Sequence, residues 1–159
     1  MFGVVSQDIT MRVHDAEALI LRKKCSHTWS VPSDATVYSA IRMMAEHDVG
    51  AILVMENGQL MGVVSERDYA RKVILMGRSS RRTAVSKIMG TPSLTISPEC
   101  PVDEALRLMT ANQIQYLPVL RHEKVLGMVS IGDLVASISV SDCPKSEHLE
   151  QYIEGQYHY

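Results

Sequence analysis

An internal repeat constrains the fold of this 159-residue chain more than any other feature of its sequence. When the sequence is shifted by 65 residues, residues 31–72 align with residues 96–137 without a gap, and many identical residues coincide, as Gly62 does with Gly127. Such a repeat indicates a duplicated supersecondary unit. Because a unit of about 60 residues buries little apolar surface by itself, we expect the two copies to pack together and share one core.

Both copies show the same order of predicted elements. A short extended segment precedes a helix, in which four apolar residues recur at the spacing i, i+3, i+4, i+7. Two strands joined by a turn follow, and a second helix closes the unit. The extended segments are expected at 28–31 and 93–96, the strands at 51–55, 60–65, 117–120 and 125–130, and the closing helices at 67–76 and 133–140. The pattern predicts an α+β fold of tandem β-α-β-β-α repeats packed about a pseudo-twofold axis.

The remaining sequence divides the chain into five expected segments. They are an N-terminal segment with a short helix (1–24), the first repeat (25–78), a basic connector (79–90), the second repeat (91–140) and a flexible acidic tail (141–159). In the N-terminal helix, Leu19 and Ile20 could dock on the repeats or on a partner. The basic side chains of the connector are expected to be solvated.

Composition narrows the possible classes of function. The net charge is −2, so the whole surface has no positive field that would attract nucleic acid. No apolar run approaches the roughly 18 residues of a membrane span. The sequence contains neither a phosphate-binding loop motif nor a Gly-x-Ser-x-Gly nucleophile motif, so an enzyme is not expected. The three cysteines, Cys25, Cys100 and Cys143, are too widely spaced for a disulfide framework and favour the cytoplasm. Cys25 and His27 alone are too few ligands for a metal site.

Each copy ends its last strand with the motif Gly-x-Val-Ser-x-x-Asp, at 62–68 and 127–133, directly before the closing helix. A Ser hydroxyl beside the first amides of a helix attracts an anion such as a phosphate. An Asp three residues later can accept hydrogen bonds from the two hydroxyls of a ribose. The same spacing is also that of a capping box, and the residues alone leave both hypotheses open. Arg67 favours a phosphate in the first copy, whereas Gly132 adds no charge in the second.

Paired repeats that close with this motif, together with Leu117-Pro118-Val119 in the second copy, resemble CBS domains, and the pair resembles a Bateman module. The resemblance covers residues 28–140. The stretch 65–72 particularly resembles small stand-alone bacterial CBS-pair proteins. The resemblance implies a regulatory ligand that contains adenosine, such as AMP, ADP, ATP, NAD or S-adenosylmethionine, and a homodimer.

The resemblance also implies two clefts between the repeats, each with a Ser and an Asp from one repeat and an adenine-binding wall from the other. One cleft would combine Ser130, Gly132 and Asp133 with Thr28, Trp29, Val49, Gly50 and Ala51. The other would combine Ser65, Arg67 and Asp68 with Thr91, Leu94, Ile114, Gln115 and Tyr116. Many relatives have His or Arg where Gln115 and Tyr116 stand, so a monophosphate or a dinucleotide is favoured over a tightly bound triphosphate.

We therefore expect a non-enzymatic sensor of adenine nucleotides that acts on an unidentified regulated protein. One alternative is a ligand-independent interaction or dimerisation module. A less favoured alternative is a nucleic-acid binder that uses the basic stretch 67–87, in which seven basic residues accompany a single acid, Asp68. Aromatic residues make up only 5% of the chain, which disfavours single-strand recognition by stacking.

Overall fold

The structure is a computed structural model that describes residues 15–22, 28–91 and 94–139. The expected acidic tail at 141–159, as well as Cys25, His27 and Cys143, lies outside the described residues. The helices and strands are α1 (Ala16–Arg22), β1 (Ser30–Val31), α2 (Val37–His47), β2 (Ala51–Glu56), β3 (Gln59–Ser65), α3 (Glu66–Tyr69), α4 (Val102–Asn112), β4 (Tyr116–Arg121), β5 (Lys124–Ser130) and α5 (Ile131–Ser139). This order confirms the α+β class and the two repeats.

Each repeat is built on an antiparallel hairpin. In the first repeat, β2 pairs with β3, and β1 adds a short parallel strand through Val31 and Val54. In the second repeat, β4 pairs with β5, and Ile96 forms an isolated parallel bridge to Val119. These two bridges occupy equivalent positions in the repeats. Both hairpins also change register at equivalent positions, so the duplication extends to the irregularities of the sheets.

The closing helix of the first repeat differs from the regular helix expected over 67–76. Helix α3 begins at Glu66 and continues as a π-helical turn, Ala70–Ile74, in which the Leu75 amide donates to the Ala70 carbonyl oxygen at 3.1 Å. The chain then turns at Gly77, which has a φ of 63°, a value that favours glycine. In the second repeat, α5 is α-helical and begins at residue 131, two residues earlier than expected.

The apolar residues form two buried clusters, one in each repeat, so the expectation of one shared core is wrong. In the first repeat the inner face of α2, with Val37, Ala40 and Met44, packs against the strands. In the second repeat α4 packs in the same way. Each hairpin supports its own helices. The space between the repeats is therefore available for a cavity.

The segment that precedes each repeat packs on the other repeat. Leu19 and Ile20 of α1 belong to the cluster of the second repeat, and they therefore dock on the pair. The connector forms a short 3₁₀ helix, Val85–Lys87, and buries Val85 and Ile88 in the cluster of the first repeat. The connector is thus partly packed, although its basic side chains are exposed as expected.

Candidate functional site

A cavity of about 370 Å³ lies between the two repeats. Its volume is within the range of small-molecule sites, roughly 300–1,000 Å³. The end of β3 and the beginning of the following helix form one wall, and residues 112–116 of the second repeat form the facing wall. All eight residues of one predicted cleft line it: Ser65, Arg67, Asp68, Thr91, Leu94, Ile114, Gln115 and Tyr116.

Backbone hydrogen bonds hold these residues at the junction. The Glu66 amide donates to the Gly50 carbonyl oxygen at 3.0 Å, which fixes the start of α3 beside the loop that enters β2. In the second repeat, the Ile131 amide donates to the Gln115 carbonyl oxygen at 2.9 Å. Near the cavity, Val63 and Gly90 exchange two backbone hydrogen bonds, so the end of the connector extends the sheet of the first repeat.

Ser65 and Asp68 form a complete capping box. The Ser65 amide and hydroxyl both donate to Asp68 Oδ2, at 3.0 and 2.7 Å, and the Asp68 amide donates to Ser65 Oγ at 3.2 Å. Ser130 and Asp133 make the same three hydrogen bonds in the second repeat. Both motifs therefore cap helices. Capping leaves room for a ligand role in the cavity, because a carboxylate has about four lone-pair positions for donors.

Lys72 engages the second oxygen of the Asp68 carboxylate. Its Nζ lies 2.7 Å from Asp68 Oδ1 and also donates to the Ile88 carbonyl oxygen at 2.7 Å. The ammonium group therefore links the closing helix of the first repeat to the connector. A ribose diol that approaches Asp68 would share Oδ1 with Lys72 or displace it.

The cavity is also lined by residues outside the predicted cleft. They are Val63, Arg71, Lys72, Gly90, Asn112, Gln113 and Pro118. Arg71 and Lys72 lie four residues after Arg67 and Asp68, which is the spacing of neighbours on a helix face. That spacing was the signal that would have found them in the sequence.

The eight residues of the other predicted cleft do not line this cavity: Thr28, Trp29, Val49, Gly50, Ala51, Ser130, Gly132 and Asp133. The Trp29 ring stacks on His47, with ring centroids 3.4 Å apart and the planes 6° from parallel. Gly50 faces the Tyr116 hydroxyl so closely that an added Cβ would overlap it. Tyr116 therefore lines the cavity and also occupies the space beside the loop of the other predicted cleft.

The Cys100 thiol is poorly suited to act as a nucleophile. Burial raises the pKa of the Cys100 thiol, and the nearby carboxylates of Glu104 and Asp103 raise it further. A thiol of this kind stays protonated near neutral pH and is a weak nucleophile. In the ranges that the structure describes, no three His, Cys, Asp or Glu residues are placed to hold a metal ion, and no helix is long and apolar enough to cross a membrane.

The pattern of two repeats around this cavity matches a known family. The profile described as "CBS domain" matches residues 26–74 and again residues 85–140. The chain belongs to the CBS domain family. Its two matches identify it as a CBS pair, which confirms the resemblance in sequence.

Three relatives show how far this similarity extends. The CBS domain-containing protein CBSX3, mitochondrial, of Arabidopsis thaliana is 42% identical over 130 residues, which cover 79% of this chain and 63% of CBSX3. This CBS pair thus spans less than two thirds of that relative. A solved protein with CBS domains from Burkholderia ambifaria MC40-6 is 38% identical, with a TM-score of 0.77 over 82% of this chain and 98% of that one.

The third relative is the CBS domain pair of protein MJ0100, solved in complex with 5′-methylthioadenosine and S-adenosyl-L-methionine. It is 18% identical and has a TM-score of 0.70, and the match covers 79% of this chain and 96% of that chain. At this identity the similarity shows the shared fold alone.

Proposed function

We propose that this CBS pair is a non-enzymatic regulatory module that binds an adenosine-containing ligand in the cavity between its repeats. The observation that carries the proposal is the meeting of the Ser65–Asp68 motif with residues 114–116 of the other repeat in one cavity. CBS-domain pairs are generally regulatory rather than catalytic, and the MJ0100 pair, which has the same fold, was solved with two adenosine compounds. AMP and NAD are the preferred candidates.

The cavity walls suggest how such a ligand would lie. Asp68 would accept hydrogen bonds from the ribose hydroxyls, close to Ser65. The apolar side chains of Leu94, Ile114 and Pro118 would provide a surface for the adenine ring. The ligand would then contact both repeats at once. Binding would favour one relative orientation of the repeats over others, and a partner protein could recognise that orientation.

The proposal is tested by titration calorimetry with AMP, ADP, ATP, NAD and S-adenosylmethionine. At least one compound is expected to bind the wild-type chain and to raise its melting temperature, because a ligand that binds only the folded state stabilises it. Asp68→Ala should weaken that binding by about 1–3 kcal/mol for each charged hydrogen bond lost.

The matched control is Asp133→Ala, which removes the equivalent capping carboxylate from the repeat that contributes no capping motif to this cavity. Both variants lose a capping interaction, so affinities are compared at a temperature where circular dichroism shows both to be folded. The proposal is wrong if no compound binds, or if folded Asp68→Ala binds the ligand as tightly as the wild type does.

One observation favours the alternative of a ligand-independent dimerisation module. Three consecutive apolar residues are largely exposed: Ile74 (57%), Leu75 (78%) and Met76 (63%). An exposed apolar run of this kind is typical of an interaction surface. Sedimentation of the wild type and of a Leu75→Ser variant tests this alternative, which predicts a dimer that dissociates in the variant whether or not a nucleotide is present.

The remaining expectations concern the oligomeric state and the cellular location of the protein. We propose a homodimer and a cytoplasmic location, the latter because the cysteines are few and widely spaced. The name of CBSX3 places that plant relative in mitochondria. Fractionation of the source cells, with detection of this chain in each fraction, tests the location.

A further inference from the structure

The cavity has an unequal distribution of charge. Three cationic side chains line it, those of Arg67, Arg71 and Lys72, and all three come from the closing helix of the first repeat. Among the described residues that line it, Asp68 is the only acidic one. The facing wall, from residue 112 to residue 116, contributes amide, apolar and phenolic side chains without formal charge.

Among the residues that the structure describes, one of the three cations is paired with a carboxylate. Lys72 is paired with Asp68 at 2.7 Å. Among the described residues, no carboxylate lies within 4.0 Å of the guanidinium of Arg67 or of Arg71. Both arginines are exposed on the cavity side of the helix. Within the described part of the chain, two positive charges at the cavity are therefore not paired with a carboxylate.

We infer that Arg67 and Arg71 determine specificity, and that the cavity selects adenosine ligands that carry a phosphate over neutral or cationic ones. This inference rests on the proposed function and deepens it. A guanidinium group pairs well with phosphate oxygens because its donors form a planar fork. A phosphate monoester carries nearly two negative charges at neutral pH, which match the two free arginines.

The same charges disfavour the compounds seen with the MJ0100 pair. 5′-Methylthioadenosine has no charge that an arginine could bind. S-Adenosylmethionine has a sulfonium and an ammonium cation against a single carboxylate, so two nearby guanidinium groups repel it overall. The shared fold and a shared adenosine part therefore do not imply the same charge at the 5′ position of the ligand.

The test compares AMP with 5′-methylthioadenosine and S-adenosylmethionine by titration calorimetry. These compounds share the adenosine part and differ in the charge at the 5′ position. AMP is expected to bind the wild type at least about tenfold more tightly than either of the others. Its advantage should decrease as salt rises from about 0.05 to about 0.5 M, because salt screens exposed charges.

The variant Arg67→Ala/Arg71→Ala should lose at least about tenfold in affinity for AMP, while its affinity for 5′-methylthioadenosine stays within about twofold of wild type. The matched control is Arg78→Ala/Arg82→Ala. It removes two exposed arginines that do not line the cavity, and so changes the net charge equally. The control should bind AMP within about twofold of wild type.

The possible failures are distinguishable. If 5′-methylthioadenosine or S-adenosylmethionine binds as tightly as AMP, the inference is overturned and the proposed adenosine site stands. If the control variant loses as much affinity for AMP as the cavity variant, the net charge of the protein, and not the two arginines, determines that affinity. The inference is then also overturned. If none of the three compounds binds, this inference fails, whereas the proposed function fails only if ADP, ATP and NAD do not bind either.

Discussion

The closing helices of the two repeats begin with the same capping box and then differ in charge. Three cations in the first repeat stand where the second repeat has small uncharged residues. The equivalent pairs are Arg67 and Gly132, Arg71 and Ala136, and Lys72 and Ser137. The difference teaches that the Ser-x-x-Asp motif marks the start of a helix in both repeats, whereas the charges after it distinguish the closing helix that lines the cavity from the one that does not.

A second comparison concerns what packs on each hairpin. On β3, the Gly90 carbonyl oxygen and the Met89 side chain lie against Gly62, whereas on β5 the side chain of Ile20 lies against Gly127. The first contact includes backbone that is itself hydrogen-bonded to the sheet. The second involves a side chain on the short helix α1. The two equivalent glycines therefore face neighbours of different stiffness.

The largest expected effect follows from this difference. An added Cβ at Gly62 would lie 2.6 Å from the Gly90 carbonyl oxygen, while one at Gly127 would lie 3.1 Å from the nearest carbon of Ile20. We expect Gly62→Ala to cost about 3 kcal/mol of unfolding free energy and Gly127→Ala about 1 kcal/mol. Urea denaturation of both variants measures this. In an Ile20→Ala background, Gly127→Ala should cost almost nothing extra. Equal costs for the two glycines would show that the repeats are packed alike.

A smaller effect is expected where Tyr116 meets Gly50. In the alignment of the repeats, Gly50 corresponds to Gln115 and Tyr116 corresponds to Ala51. The small residue of the pair therefore belongs to the first repeat at both positions, and the large residue to the second. Gly50→Ala should cost about 1–2 kcal/mol, because the new Cβ overlaps the Tyr116 hydroxyl. In a Tyr116→Phe background the same substitution should cost less, because the nearest remaining atom, ring carbon Cζ, is 3.5 Å away. A double-mutant cycle by thermal unfolding measures the coupling. Additive costs would contradict this contact.

The two capping boxes should contribute equally to the free energy of unfolding, even though only the first one lines the described cavity. Ser65→Ala and Ser130→Ala each remove the same set of hydrogen bonds and should each cost about 1 kcal/mol. The control is Ser86→Ala, an exposed serine of the 3₁₀ helix, which should cost close to nothing. Chemical denaturation tests the prediction. A cost confined to one repeat would mean that only that serine caps its helix effectively.

The smallest effect is expected at Lys72. Lys72→Ser installs the residue found at the equivalent position, 137, and should cost about 0.5 kcal/mol, because the ion pair with Asp68 is partly exposed. Lys87→Ser is the control, since that connector lysine is exposed. The difference in stability between the two variants should shrink in high salt. A cost above about 2 kcal/mol would instead make Lys72 a major structural link to the connector.

Much of the fold could be predicted because its signals are local. The apolar i, i+3, i+4, i+7 spacing specified α2 and α4, and the strands expected at 51–55 and 60–65 form the hairpin of β2 and β3. Departures from local regularity were missed. The π-helical turn at Ala70–Ile74 has no distinct pattern of residue types, and the two separate clusters depend on how whole repeats pack.

The sequence by itself determined the duplication, the order of the elements and the two Ser-x-x-Asp motifs, because each of these depends on residues close together in the chain. Only the tertiary structure decided that one predicted set of eight residues lines a cavity and that Tyr116 reaches Gly50. Those facts depend on the distance between the repeats and on side-chain directions across their junction. Residues separated by between about 50 and about 65 positions in the chain meet there, and no local pattern encodes such a meeting.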